Sequence, residues 1–405
     1  MRVHISGYGV LSSLGNSPDA MFSSLIENRS AVKLIEDWSR VQGLHCRLGA
    51  PVMPYDNLVL PRTARRTMST MSEMAALASM QALELAGVKI SDLNPERSLL
   101  SLGSTTGSPA TLEEYFHRLS SNQGSLSQSG TAFFKIMNHS VASNVAVALG
   151  FNGAVTSPSS ACATSAQAAI MAWEQIQSGL YDFAICGGAD ELHFLSAVVF
   201  DTVYAASRGY HDTPTLTPRP FDRRRDGLVV SEGASVLILE SERSLEKRGG
   251  KSLGEFVAGA YLCESSHMSQ SNSQQMNRVM NMALNRGELK KEQIEYINAH
   301  ATGTMQGDAQ EAIAIKSVFG SDVPVSSLKG HLGHSMAACG VGEVIATLKM
   351  MENGTLIGTR NLEEVSDECS GVNHLLKNTK RNFNLALSNN FAFGGINTSL
   401  IIKGS

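Results

Sequence analysis

The chain has 405 residues, enough for one large α/β unit or two packed domains. Its 42% hydrophobic and 17% charged residues give a globular balance that can bury a large core, and the sparse charge points to extensive buried surface, including a subunit interface. Net charge is −4 with no run of like charge, which argues against nucleic acid as a partner and leaves room for a local basic patch facing an acidic protein.

The opening Met1-Arg2-Val3-His4-Ile5-Ser6-Gly7 reads as a first β-strand entering a glycine turn, without the long apolar core of a secretion signal. A helix is expected near Ala20–Glu27 and a longer one over about Met68–Ala86, where Met and Ala recur at helical spacing. Strand Leu99–Leu102, helix Ile136–Leu149, a short strand near Val155, helix Cys162–Ser178 and the buried strand Phe183–Cys186 follow. The stretch Gly209–Asp226 is loop-rich, Ser235–Glu240 is a strand, and Arg248-Gly249-Gly250 reads as a junction. Beyond it come strand Gly254–Cys263, helix Gln274–Arg286, strand Tyr296-Ile297, helix Asp308–Phe319 and a strand near Val323–Ser326. A helix over about Ser335–Met351 and strands Leu385–Ser388 and Ser399–Ile402 close the chain. This alternation predicts a layered α/β architecture without a short-period repeat. No apolar stretch approaches the roughly 18 residues of a membrane helix, so no membrane span is expected and the cytoplasm is the expected location.

Six cysteines, Cys46, Cys162, Cys186, Cys263, Cys339 and Cys369, lie far apart with no C-x-x-C pair, which favours free thiols over a disulfide framework or a zinc site. Four segments carry candidate chemistry. Ser159-Ser160-Ala161-Cys162-Ala163-Thr164-Ser165 sets a thiol among small residues before an amphipathic helix, where backbone N–H groups and the dipole favour a thiolate. A tightly packed turn with a structural cysteine is the plainer alternative. Asn298-Ala299-His300-Ala301-Thr302-Gly303-Thr304 places His300 directly after a strand, with Asp308 and Glu311 at i, i+3 on the next helix. A histidine bonded to its own turn would read the same. Ser326-Ser327-Leu328-Lys329-Gly330-His331-Leu332-Gly333-His334 offers one lysine and two histidines on a glycine-broken loop. His331 and His334 invite a metal, but no neighbouring carboxylate or cysteine completes a set, so no metal is expected. Cys339 lies in an Ala/Gly-rich helix and reads as packing. Ser388-Asn389-Asn390-Phe391-Ala392-Phe393-Gly394-Gly395-Ile396-Asn397 can present backbone N–H groups to an oxyanion, or form a hairpin turn with two packing aromatics.

Taken together and in this order, the four segments resemble the β-ketoacyl-acyl carrier protein synthases of the thiolase-like superfamily. The likeness covers essentially the whole chain and extends to Ile5-Ser6-Gly7-Tyr8-Gly9-Val10 and Pro220-Phe221-Asp222-Arg223-Arg224-Arg225-Asp226-Gly227. It implies an α-β-α-β-α layered fold of two similar halves, residues 1–248 with the nucleophilic cysteine and 249–405 with both histidines. It further implies a stand-alone type II enzyme that joins an acyl group to a malonyl unit by decarboxylative condensation, in fatty acid or specialised polyene or polyketide synthesis. By resemblance Cys162 is the nucleophile, and His300 and His334 stabilise the thioester oxygen of the malonyl unit as CO2 leaves. The amides of Cys162 and Phe393 form an oxyanion hole. Lys329 tunes the histidines and hydrogen-bonds through Glu311, with Asp308 in support. Thr302 and Thr304 bind the pantetheine arm, and Phe391 and Leu228 line the substrate site.

The resemblance implies no cofactor beyond the phosphopantetheine of acyl carrier protein. Arg62, Arg65 and Arg66 correspond to a docking region for that acidic partner, although three such arginines also suit a solvated helix face. A homodimer is expected, and a heterodimer with a ketosynthase-like subunit is the other assembly the resemblance allows. Three departures bear on substrate. Ala392 stands where the family loop has glycine and resists φ > 0, Leu228 replaces a frequent Phe, and His331 is unusual at its position and is read as solvent-facing or loop-packing. Two other readings compete: a non-catalytic chain-length-factor-like partner, which retention of Cys162, His300 and His334 disfavours, and a thiolase, which would need a second cysteine in a context that Cys339 and Cys369 lack.

Overall fold

The computed structural model describes residues 1–121, 129–265 and 270–405. Among these, eleven strands form one sheet. The first five are β1 (Val3–Leu11), β2 (Ser98–Gly103), β3 (Ala154–Thr156), β4 (Phe183–Asp190) and β5 (Gly233–Ser241), in spatial order β3-β2-β4-β5-β1. The remainder are β6 (Gly254–Cys263), β7 (Tyr296–Asn298), β8 (Pro324–Ser326), β9 (Asn373–His374), β10 (Leu385–Phe391) and β11 (Ile396–Gly404), in order β9-β8-β7-β10-β11-β6. With edge strand β9 set aside, the second order repeats the first. The senses agree as well: β2 is parallel to β3 and β4, as β7 is to β8 and β10, edge strand β9 is parallel to β8, and the other pairs are antiparallel. The two groups join where His4 and Ile5 meet Glu255 and Gly254.

Parallel neighbours need crossover connections, and helices supply them. In chain order the main helices are α1 (Pro18–Ile26), α2 (Thr70–Ala86), α3 (Pro109–Ser120), α4 (Ser140–Leu149), α5 (Thr164–Gln177), α6 (Phe194–Thr202), α7 (Ser273–Arg286), α8 (Met305–Phe319) and α9 (Cys339–Glu352). Alternate strand residues sort into separate cores. Ile185 and Ile238 face α2 and α4, while Ala184, Cys186, Leu237 and Leu239 face α5 and α9. In the second half Ile297, Leu387 and Ile401 face α7 and α8, while Tyr296, Ala386 and Leu400 turn to the same central helices. That period-two division yields five layers, α-β-α-β-α.

The central layer brings two equivalent helices together, α5 after β3 and α9 after β8. Residues Cys339 to Met350 of α9 are buried throughout. The Val341 N–H donates to Ser165 Oγ at 3.1 Å. At the crossing stands Gly340, where an added Cβ would lie 2.8 Å from Ala166 Cβ and 2.7 Å from Asn390 Oδ1, so only glycine fits without displacement.

The layered architecture and most of its elements follow the sequence reading, with two of the nine main helices unanticipated. In α3, capped by Ser108 accepting from the Thr111 N–H, Phe116 and Leu119 are exposed, so no inward apolar stripe marks it. In α6 apolar residues lie on all sides, with Val199 exposed and Phe200 buried, which gives neither helical nor strand periodicity. The expected helix from Ser335 instead opens with a 3-10 turn, Met336–Ala338, and a short helix, Lys329–Leu332, precedes it.

Candidate active site

Cys162 lies in a 3-10 turn, Ala161–Ala163, that leads into α5. Thr164 Oγ1 ties this turn, accepting from the Ser160 N–H at 2.8 Å and donating to the Ala161 carbonyl at 2.7 Å. Ala161 adopts φ 47°, a strained value for a residue with a Cβ, and the tie holds it there. The thiol is 5% exposed. Burial pushes it up to about 11, while the Lys329 charge and the N–H groups of Phe393 and of Cys162 itself pull the other way. The two amides that lower it are those the resemblance assigns to an oxyanion hole.

His334 comes from the other half, after β8. Its N–H donates to the Val229 carbonyl at 2.8 Å and its carbonyl accepts from the Ser231 N–H at 2.9 Å, so the backbone is clamped on both sides. Its Nε2 is 3.0 Å from Cys162 Sγ. His300 follows β7, its ring centroid 5.3 Å from that of His334 and edge-on to it at 83°. Burial, and then the Lys329 charge, hold both imidazoles well below their ordinary range and therefore neutral.

The loop that bears His300 hangs on two buried carboxyl groups of α8. Glu311 accepts from the N–H groups of His300 at 2.8 Å and Ala301 at 2.6 Å. Asp308 accepts from those of Thr302 at 3.0 Å, Gly303 at 3.1 Å and Phe221 at 2.8 Å. Burial lifts Glu311 to about 8 and Asp308 to about 6. Arg225, part of the Pro220–Gly227 block but given no role there, donates to the Thr304 and Met305 carbonyls.

One expected contact is corrected. Lys329 does not bond through Glu311, which is occupied by the His300 loop; its Nζ pairs with Glu343 of α9, and both side chains are almost fully buried. Burial works against the Lys329 charge, but Glu343, together with Cys339 and Glu311, outweighs it and keeps the ammonium above its ordinary range. Asn390 completes the set, donating to Glu343 at 2.9 Å. Glu343 escaped notice in the sequence; its signal was a lone carboxylate within the apolar run Val341–Met350. His331 is also corrected in part: it is wholly buried, not solvent-facing, and packs with Nε2 3.1 Å from Asn28 Oδ1. Cys339 packs as expected in α9, and its thiol donates to the Cys162 carbonyl at 3.2 Å.

One cleft gathers Cys162, His300, His334, Thr302, Thr304, Leu228, Phe391 and Phe393, with Phe200 of α6 as an unanticipated wall. The Phe200 ring is 5.4 Å from that of Phe393. Asp308 and Glu311 border the cleft, whereas Lys329 lies behind the histidines. Ala392 does not need the left-handed conformation, which falls instead to Gly394 and Gly395 at φ 88° and 76°. Arg62, Arg65 and Arg66 are not brought to this cleft; they belong to the short helix Arg62–Arg65 and its C-cap, with Arg62 and Arg66 exposed.

The family model for the beta-ketoacyl synthase N-terminal domain matches residues 1–244, and that for the C-terminal domain matches residues 255–363. The chain belongs to the β-ketoacyl synthase family. It is 32% identical to 3-oxoacyl-[acyl-carrier-protein] synthase 1 of Haemophilus influenzae and to that of Escherichia coli K12, in each case over 99% of this chain and 98% of the relative. A β-ketoacyl synthase from Burkholderia phymatum superposes with TM-score 0.95 at 37% identity, covering 100% of this chain and 99% of that one. The ishigamide ketosynthase/chain length factor superposes at 0.92 with 25% identity over 100% and 99% of the two chains. Family membership makes the chain a condensing enzyme of the acyltransferase type with the thiolase-like fold. Among the described residues, no helix of this β-ketoacyl synthase is long and apolar enough to cross a membrane.

Proposed function

We propose that this β-ketoacyl synthase elongates acyl chains carried on acyl carrier protein by decarboxylative condensation with a malonyl unit, with Cys162 as nucleophile and His300 and His334 as the electrostatic partners. The observation that carries this reading is the convergence of one thiol and two neutral imidazoles in a single cleft, with Cys162 Sγ 3.0 Å from His334 Nε2.

In the first half-reaction sulfur attacks the acyl thioester as the Cys162 thiol gives up its proton. The tetrahedral oxygen falls to the N–H groups of Cys162 and Phe393. The thioester to carrier pantetheine breaks, and the leaving thiolate takes up the proton. In the second, the C–C bond to the carboxylate of the malonyl unit breaks, CO2 departs, and the electron pair becomes an enolate on the thioester. Neutral imidazoles of His300 and His334 suit this step as hydrogen-bond donors that need no reorganisation. The enolate carbon then attacks the Cys162 thioester, forming the new C–C bond and releasing the cysteine sulfur, which regains a proton. Lys329, balanced by Glu343, raises the potential behind both rings, while Glu311 and Asp308 hold the His300 loop in place. Thr302 and Thr304, with Thr302 Oγ1 donating to Thr304 Oγ1 at 3.2 Å, are suited to the pantetheine arm at the cleft, and Leu228 and Phe391 to the acyl chain.

Residues 1–248 and 249–405 are proposed as the two halves that supply these groups, with no cofactor beyond the carrier's phosphopantetheine and the cytoplasm as location. Arg62, Arg65 and Arg66 are proposed to dock the acidic carrier protein; among the described residues none of the three forms an ion pair. A homodimer through β3 is proposed because this strand ends the sheet and leaves Val155 44% exposed. Intact-protein mass spectrometry after exposure to acyl carrier proteins bearing graded chains tests the central reading. A single acyl mass on Cys162, followed by ketoacyl product on addition of malonyl-carrier protein, is expected; acylation that persists in Cys162→Ala would overturn it.

A further inference from the structure

The three groups that meet in the cleft have a second chemistry open to them. One donor atom from each of Cys162, His300 and His334 lies within 4.8 Å of the other two, and all three side chains are buried. Nδ1 of His300 and Nδ1 of His334 are buried and find no hydrogen-bond partner among the described residues. A thiolate with two imidazoles is a soft to borderline donor set, suited to Zn2+ and unsuited to Mg2+ or Ca2+, which seek oxygen. Zinc bonds of about 2.0–2.3 Å in a tetrahedron place donor atoms roughly 3.5 Å apart, so the trio would need to close by only about 1 Å. The fourth corner faces the cleft all three residues line. The Lys329 charge that acts on all three groups is balanced by Glu343. The pair singled out along the chain for its i, i+3 spacing is a different one: His331 is turned to Asn28 and takes no part.

We propose that the acyl-free enzyme takes up one Zn2+ through Cys162, His300 and His334, and that this ion holds the condensing reaction off until it leaves. The thiol proton goes to water as the S–Zn bond forms, with no change of oxidation state. An acylated sulfur has lost its anionic donor, so acyl group and metal exclude each other. The ion is an inhibitor competing for the nucleophile, and the site rests on the same three residues as the proposed condensation.

The test uses the full chain, freed of acyl groups and treated with chelator, and titrated with Co2+ as a spectroscopic stand-in for Zn2+. One equivalent should produce a thiolate-to-cobalt charge-transfer band. That band should vanish in Cys162→Ala, and affinity should fall at least about 10-fold in His300→Ala and in His334→Ala. Wild-type enzyme acylated beforehand should give no band, an arm that does not depend on the folding of any variant. Zn2+ should abolish condensation at one equivalent, and chelator should restore it. A band that persists in Cys162→Ala or in acylated enzyme, or uptake of Co2+ without a thiolate band, overturns the proposal. The two readings fail separately: metal-free enzyme that binds Co2+ as described but never condenses would sink the condensation and leave the zinc site standing.

Discussion

The two halves of this synthase share one strand order and one set of strand senses, yet contribute opposite chemistry. After its third strand the first half places a thiol; after the equivalent strand, β8, the second places His334. Following β2 the first half has Ser104 and Thr105, held by the buried Asp190 through Ser104 Oγ at 2.7 Å and the Thr105 N–H at 2.9 Å. Following β7 the second half has His300, whose loop hangs on Glu311 and Asp308. A buried carboxyl group fixing a loop at a strand's carboxyl end is thus a device common to both. What differs is the side chain the loop carries, so the frame positions groups and the loop residue decides what they do.

The largest effect that can break this comparison is removal of the one nucleophile. Cys162→Ala should lower condensation by about 10,000-fold or more and abolish acylation, read by product formation and intact mass. If the halves are unequal in chemistry as argued, no residue of the second half substitutes for it. His300→Ala and His334→Ala should each lower turnover about 100- to 1,000-fold while Cys162 still loads an acyl group to a measurable extent; equal loss of both half-reactions would show that the histidines do not act chiefly on the enolate.

Smaller effects sharpen the role of the buried charges. Glu343→Ala strips Lys329 of its counter-charge in a site where both are almost wholly buried, and should destabilise the fold by about 3–5 kcal/mol in chemical denaturation. Glu311 gives a pH signature. Burial lifts it to about 8 from an ordinary 4.5, so the folded chain keeps a proton that the unfolded chain releases. Its contribution to stability is complete below about pH 4.5 and is lost as pH rises toward about 8, at most about 1.4 kcal/mol per pH unit. Glu311→Gln should flatten that part of a plot of urea midpoint against pH; an unchanged slope would assign the titration elsewhere. Least of all, Ala392→Gly should destabilise by no more than about 1 kcal/mol, since Ala392 needs no left-handed backbone. A large change in acyl-chain preference would instead show that the loop moves through conformations alanine resists.

What could be read without coordinates was what lies close together along the chain. Cys162, His300 and His334 each sit in a short run of small and polar residues at the end of a strand or turn, and alternation of apolar segments gave the layers. Glu343 was hidden because its partner Lys329 is 14 residues away, across a turn and a helix whose geometry the residues do not announce. Helices α3 and α6 were hidden because they leave apolar side chains outside, against the rule by which amphipathic helices are recognised. Phe200, on the second of these, was lost with its helix and now forms a wall of the cleft. Arg225 was visible in its motif, but its hold on the Thr304 and Met305 carbonyls needs the fold to bring positions 80 residues apart together.

Gly340 has no functional group, and the reactivity of Cys162 is nevertheless hostage to it. Because α5 follows Cys162 directly and α9 follows His334 after one 3-10 turn, the bare α-carbon at their crossing bears on how far sulfur can stand from imidazole. A single methyl there would act as a wedge between two half-sites, leaving every reactive side chain intact and out of reach of its counterpart.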